Sequence, residues 1–140
     1  KWNAVHGIHE GGTGLHLSTA DLIKIGLLAA REGEWEGRQI VPAEWIRAST
    51  KPVTKGLLHY KPPIFGRYGW HWWVADPEAN RPGYAFALGF SGQYLAVVPE
   101  LGIAAAVRRT ATTRADSLKS RSLIDEYILP AATGMKAKSN

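Results

Sequence analysis

The residues nearest to chemistry are Gly89-Phe90-Ser91-Gly92. A serine flanked by glycines offers two things to a carbonyl. Its hydroxyl could attack, or the backbone could donate, because glycines let N–H groups come close to a ligand. The attack needs a base within reach, and no histidine or lysine neighbours Ser91 in the chain. The stretch also departs from the G-x-S-x-G turn, since Gln93 occupies the place of the last glycine. Ser91 therefore reads as a wall or hydrogen-bonding residue of a pocket, or as a structural turn serine.

Other candidates are weaker. His6, His9 and His16 lie near Glu10, and imidazole with carboxylate suits zinc. Their spacing is not H-E-x-x-H, and Gly7, Gly11, Gly12 and Gly14 oppose a helix. They read as loop histidines, and no metal site is expected. Gly11-Gly12-Thr13-Gly14 lacks the Lys-Ser/Thr of a phosphate-binding loop and has no strand before it. Trp70, Trp72 and Trp73 could bind a sugar or another flat ligand, as in a carbohydrate-binding module. Core packing is the plainer reading. Strand alternation would place Trp70 and Trp72 on one face and Trp73 on the other.

Composition narrows the classes. The chain has 140 residues, suited to one domain with one core. Its net charge of +5 is scattered and forms no stripe, so no nucleic-acid partner is expected. No cysteine is present, which removes disulfides and thiolate metal sites and leaves the compartment open, cytoplasmic or periplasmic. No apolar run reaches membrane-span length. The chain begins at Lys1 and its only methionine is Met135. It is expected to be a processed product or a piece of a longer protein.

Around the glycine–serine stretch, apolar runs at 84–88, 94–98 and 103–107 predict strands. Pro99-Glu100-Leu101-Gly102 makes a tight turn between the last two. A strand of high β-propensity is expected over 68–74. A helix is expected over 19–32, capped by Ser18 or Thr19, buried through Leu22, Ile25 and Ala29, and ended by Gly33. A second helix runs from Ala43 to about Ser49, with Trp45 and Ile46 as core anchors. The prolines at 52, 62 and 63 make 51–66 irregular. A last helix, 116–129, buries Leu118, Leu123, Ile124, Tyr127 and Ile128 and is stopped by Pro130. The tail at 136–140 reads as a frayed end. The fold class is α+β: an antiparallel sheet covered by helices.

The order of these pieces resembles one family. Gly11-Gly12-x-Gly14-Leu15-x-Leu17-Ser18-Thr19-x-Asp21-Leu22 leads into the first helix, and Gly33-x-Trp35-x-Gly37-x-Gln39-Ile40-Val41-x-x-Glu44-Trp45 follows. Tyr68-Gly69-Trp70-x-Trp72-Trp73, Gly89-Phe90-Ser91-Gly92-Gln93-Tyr94 and Val98-Pro99-Glu100 complete the series. The chain resembles the C-terminal part of serine hydrolases like the class C β-lactamases and D,D-peptidases, nearest to the esterase and nylon-oligomer-hydrolase branch. That family's nucleophile lies in a Ser-x-x-Lys motif, and no serine here has a lysine three positions on. Tyr-x-Asn is also missing, and Ala87-Leu88-Gly89 stands where Lys-Thr-Gly would be. The resemblance implies acyl-serine hydrolysis of an amide, ester or β-lactam, with no cofactor. It assigns half of the oxyanion hole to the Phe90 backbone N–H. Gly89, Ser91, Gly92 and Tyr84 would shape the substrate pocket. The implied partners are a small or peptide-like substrate and the preceding part of the same protein. A non-catalytic binding or scaffold domain that kept the fold is the alternative.

Overall fold

The computed structural model describes residues 1–55, 66–78 and 81–134. Two small hairpins and two helices come first. β1 (Ala4–Val5) pairs with β2 (Ile8–His9). Ser18 then caps α1 (Thr19–Ala30), accepting the Asp21 N–H at 3.0 Å. That bond satisfies a donor that the first helical turn leaves unpaired. Past Gly33, β3 (Glu34–Trp35) pairs with β4 (Arg38–Gln39) across a turn at Glu36 and Gly37, and α2 (Ala43–Ser49) follows.

A five-stranded antiparallel sheet comes next. It holds β5 (Arg67–Tyr68), β6 (Trp73–Ala75), β7 (Tyr84–Leu88), β8 (Tyr94–Val98) and β9 (Ile103–Val107), in that spatial order. The register pairs Leu88 with Tyr94 and Val98 with Ile103. The expected hairpin at 99–102 is present. Pro99–Leu101 forms one 3-10 turn, and Gly102 follows in the left-handed region. A long helical arm closes the chain: α3 (Arg114–Leu123), a π-helical turn Ile124–Ile128, and α4 (Leu129–Thr133).

The sheet is covered on both faces, which explains why the β8 run is apolar without alternation. Tyr94, Ala96 and Val98 join Phe86, Tyr84, Ile124 and Leu129 under the C-terminal arm. Leu95 and Val97 face the other way, onto Ala29, Ala30 and Ile46 of α1 and α2. All five residues of β8 are buried.

Four expectations are corrected. On α1, Leu22 and Ala29 join the core as expected, together with Gly26 and Ala30, but Ile25 does not and is 40% exposed. The reason is closeness of approach. A Cβ on Gly26 would stand 2.7 Å from Leu95 Cδ1 and 2.9 Å from Ala104 Cβ, so small residues occupy the contact. Trp45 is no core anchor. It is 48% exposed and meets Trp70 edge-on, and Ile46 alone of that pair is buried. The single strand over 68–74 is two strands, because His71 takes φ +64° and the chain turns between Gly69 and Trp72. Trp72 and Trp73 nonetheless join opposite faces of the sheet.

The last correction concerns the final helix. It begins earlier, capped by Thr113, and Pro130 does not stop it. A proline inside an α-helix clashes with the carbonyl four residues back and lacks an N–H. The π-helical turn lies just ahead of Pro130, with Leu129 N–H donating to Ile124 O. Gly134, at φ +70°, follows the helix end. Ile124 and Leu129 are its large buried apolar residues, whereas Leu123 and Tyr127 are exposed. The proline-rich expectation falls largely on 56–65 and the frayed tail on 135–140, both outside the described residues.

Candidate functional site

Residues 89–92 join β7 to β8 at one end of the sheet. Gly89 is extended (φ −98°, ψ 161°), and Phe90–Gly92 form one 3-10 turn. Phe90 is 94% exposed. Its N–H is the first donor of that turn, the kind that a helical turn leaves without an internal partner. Among the described residues it has no backbone acceptor and no side-chain cap.

The turn is held from several sides. Gly89 N–H donates to Gln93 O at 2.9 Å, and Gly92 N–H donates to Gly89 O at 3.4 Å. Ser91 has φ +65°, a left-handed conformation that costs roughly 1–2 kcal/mol for a residue with a Cβ. Its neighbour in space, Ala111, holds it there. Ala111 N–H donates to Ser91 O at 3.1 Å, and Ser91 Oγ donates to Ala111 O at 3.0 Å. The Ser91 hydroxyl proton is thus given to a carbonyl, and not to a base. Gly92, at φ +87°, lies against α3. A Cβ there would stand 3.2 Å from Ser117 Cα and 3.3 Å from Ser120 Oγ. Ser120 Oγ donates to Gly92 O at 2.7 Å.

A match to the Beta-lactamase family runs over residues 1–133. The chain belongs to the β-lactamase family. No curated protein matches it. Membership in a family of serine hydrolases gives the turn a context. Such enzymes must stabilise negative charge on a carbonyl oxygen, and an unengaged N–H beside a strand end can do so.

The structure brings Gly89, Phe90, Ser91 and Gly92 of this β-lactamase-family chain together, and it does not bring Tyr84 to them. Tyr84 begins β7, about 13 Å along the strand from Leu88 at ordinary strand rise. Its ring is buried under the C-terminal arm, and its hydroxyl donates to Asp125 Oδ1 at 2.7 Å. Asp125 Oδ2 accepts from Arg121 Nε at 3.2 Å, and Arg81 Nε lies 3.7 Å from Oδ1. Arg81 is 6% exposed. It also donates to Glu78 and to the carbonyls of Asp76 and Pro82. A buried cation needs this many acceptors. Burial pushes the Tyr84 phenol up to about 12, and burial raises Tyr94, 3.4 Å from it, further still. Neither phenol is suited to proton transfer near neutrality. This group locks the arm to the sheet.

Sequence reasoning missed Ser120, Asp125 and Arg121, which are distant in sequence from the strand and turn they hold, and Arg81, which lies close to Tyr84 but is joined to Asp125 only through space. Asp125 and Tyr84 are 41 positions apart. No spacing rule reaches across such an interval. The other candidates have structural places. His9 stacks on Trp2 at 5.0 Å, and Trp2 Nε1 donates to Glu10 O at 2.9 Å. Among the described residues no group of three histidines or carboxylates could hold a metal, and no helix is long and apolar enough to cross a membrane.

Proposed function

We propose that this chain is the C-terminal segment of a β-lactamase-like serine hydrolase and supplies one oxyanion-hole donor, the Phe90 N–H. The observation that carries the reading is an exposed residue whose N–H lacks an acceptor among the described residues, on a turn tied down on both sides. In the reaction a serine oxygen attacks the substrate carbonyl carbon, and the C=O electron pair moves onto oxygen. A fixed N–H stabilises that charge, and losing one such donor costs about 2.7–4 kcal/mol. The leaving group departs with a proton, and water then hydrolyses the acyl-serine. Amide, ester and β-lactam substrates all share this carbonyl step.

Gly89, Ser91 and Gly92 would form the backbone wall beside the substrate carbonyl. Tyr84 supports the strand from its far end. The nucleophile comes from a preceding part of the same protein, since no Ser-x-x-Lys occurs among the 140 residues. Ala87-Leu88-Gly89 in place of Lys-Thr-Gly favours the esterase and nylon-oligomer-hydrolase branch. The same missing motif favours a second reading, a binding or scaffold domain that retains the fold. Mass spectrometry of the intact natural protein after fluorophosphonate treatment separates the two. Labelling of a serine outside this chain supports the hydrolase. An unlabelled protein without ester turnover supports the scaffold.

A further inference from the structure

We propose that Ser120 is a positioning residue of this site: from α3 it fixes the Gly92 carbonyl and thereby sets where the Phe90 N–H stands. The proposal rests on the reading of Phe90 as an oxyanion donor.

A serine or threonine inside a helix ordinarily bonds back to a carbonyl of its own helix. Ser49 and Thr50 do so onto Ile46 O, Ser117 onto Thr113 O, and Thr133 onto Leu129 O. Ser120 does not. Its hydroxyl leaves the helix and donates across 28 positions to Gly92 O at 2.7 Å. The residue is 0% exposed, so no water competes for that bond. Gly92 has no side chain between its backbone and α3, which is what lets the turn lie flush against the helix.

The link from Gly92 to Phe90 runs within one turn. Gly92 N–H donates to Gly89 O at 3.4 Å. That oxygen and the Phe90 N–H belong to one planar trans peptide and point in opposite directions. Fixing the Gly89 carbonyl therefore fixes the direction of the Phe90 donor. Ser120 holds one end of this relay, and Ala111 holds Ser91 between its two ends. An oxyanion donor works through pre-orientation, so the helix that covers the core also orients the donor.

The test uses the intact natural protein carrying this chain, with p-nitrophenyl butyrate as substrate and a phosphonate as transition-state analogue. Ser120→Ala should lower kcat roughly tenfold, part of the hundredfold or more for outright donor loss. KM should stay within about twofold, and phosphonate affinity should fall in step with kcat. Ser120→Cys, which keeps a weak donor, should recover part of the loss. Phe90→Pro is measured alongside. If Phe90→Pro collapses kcat while Ser120→Ala leaves it unchanged, the donor stands and the positioning role fails. If Phe90→Pro changes nothing, or the intact protein shows no saturable turnover, the donor reading itself fails and takes this proposal with it. A rise in KM alone, or loss of folding in both Ser120 variants by circular dichroism, makes Ser120 a structural anchor and overturns the proposal.

Discussion

The Tyr84 hydroxyl donates to Asp125 Oδ1 at 2.7 Å, joining the first residue of β7 to the π-helical turn of the C-terminal arm. The Tyr84 phenol is raised to about 12, by burial first. An unfolded tyrosine ionises near 10. Between those values the unfolded state loses the proton and the folded state keeps it. Stability from this group is therefore whole below pH 10 and falls as pH rises toward 12. The slope is about 1.4 kcal/mol per pH unit for one phenol. Urea unfolding between pH 8 and 12 should show the fall, and Tyr84→Phe should make it shallower. An unchanged slope in Tyr84→Phe would detach this hydroxyl from the effect.

Phe90 is suited to a clean backbone test. It opens a 3-10 turn, where a proline is tolerated, and Gly89 before it is already extended, as a residue preceding proline prefers. In the intact protein Phe90→Pro should cut kcat about a hundredfold or more, whereas Phe90→Ala keeps the N–H and should do much less. Circular dichroism checks that both variants fold. Equal, small effects would remove Phe90 from the oxyanion hole.

Ser91 should remain unlabelled by a fluorophosphonate probe, because its hydroxyl is committed to Ala111 O. Peptide mass spectrometry of the treated chain decides this. Stoichiometric modification at Ser91 would make it a nucleophile and contradict the assignment.

The outward position of Ile25 on α1 gives a stability contrast. Leu95→Ala, beneath the helix and buried, should cost about 2–5 kcal/mol. Ile25→Ala, toward solvent, should cost under about 1 kcal/mol. Denaturant midpoints of the two variants report the difference. A larger loss for Ile25 would restore the face first expected from spacing.

The 140-residue chain by itself should not turn over esters or β-lactams above background, since it contains no Ser-x-x-Lys. Saturable hydrolysis by the purified chain would overturn its reading as a segment.

The strands at 84–88, 94–98 and 103–107 were legible because each apolar run is bounded by glycine or proline, a purely local signal. The glycine–serine turn was legible for the same reason, as was the helix start at Ser18, where the capping bond spans only three positions. Where sequence reasoning slipped, the deciding contact was distant. Apolar spacing put Ile25 in the core, but how closely α1 approaches Ala104 and Leu95 is a matter of packing, and Gly26 took that place. The break at His71 and the passage of the helix through Pro130 likewise depend on what surrounds them.

By itself, then, the sequence determined the antiparallel sheet, its principal hairpin and the turn at 89–92, since backbone periodicity and turn chemistry act over a few residues. Only the tertiary structure decided what that turn is fastened to. It gave Ser91 to Ala111, Gly92 to Ser120 and Tyr84 to Asp125. Those bonds join residues 20, 28 and 41 positions apart. A hydrogen bond is specified by position in space, and such positions exist only after the helices have packed on the sheet.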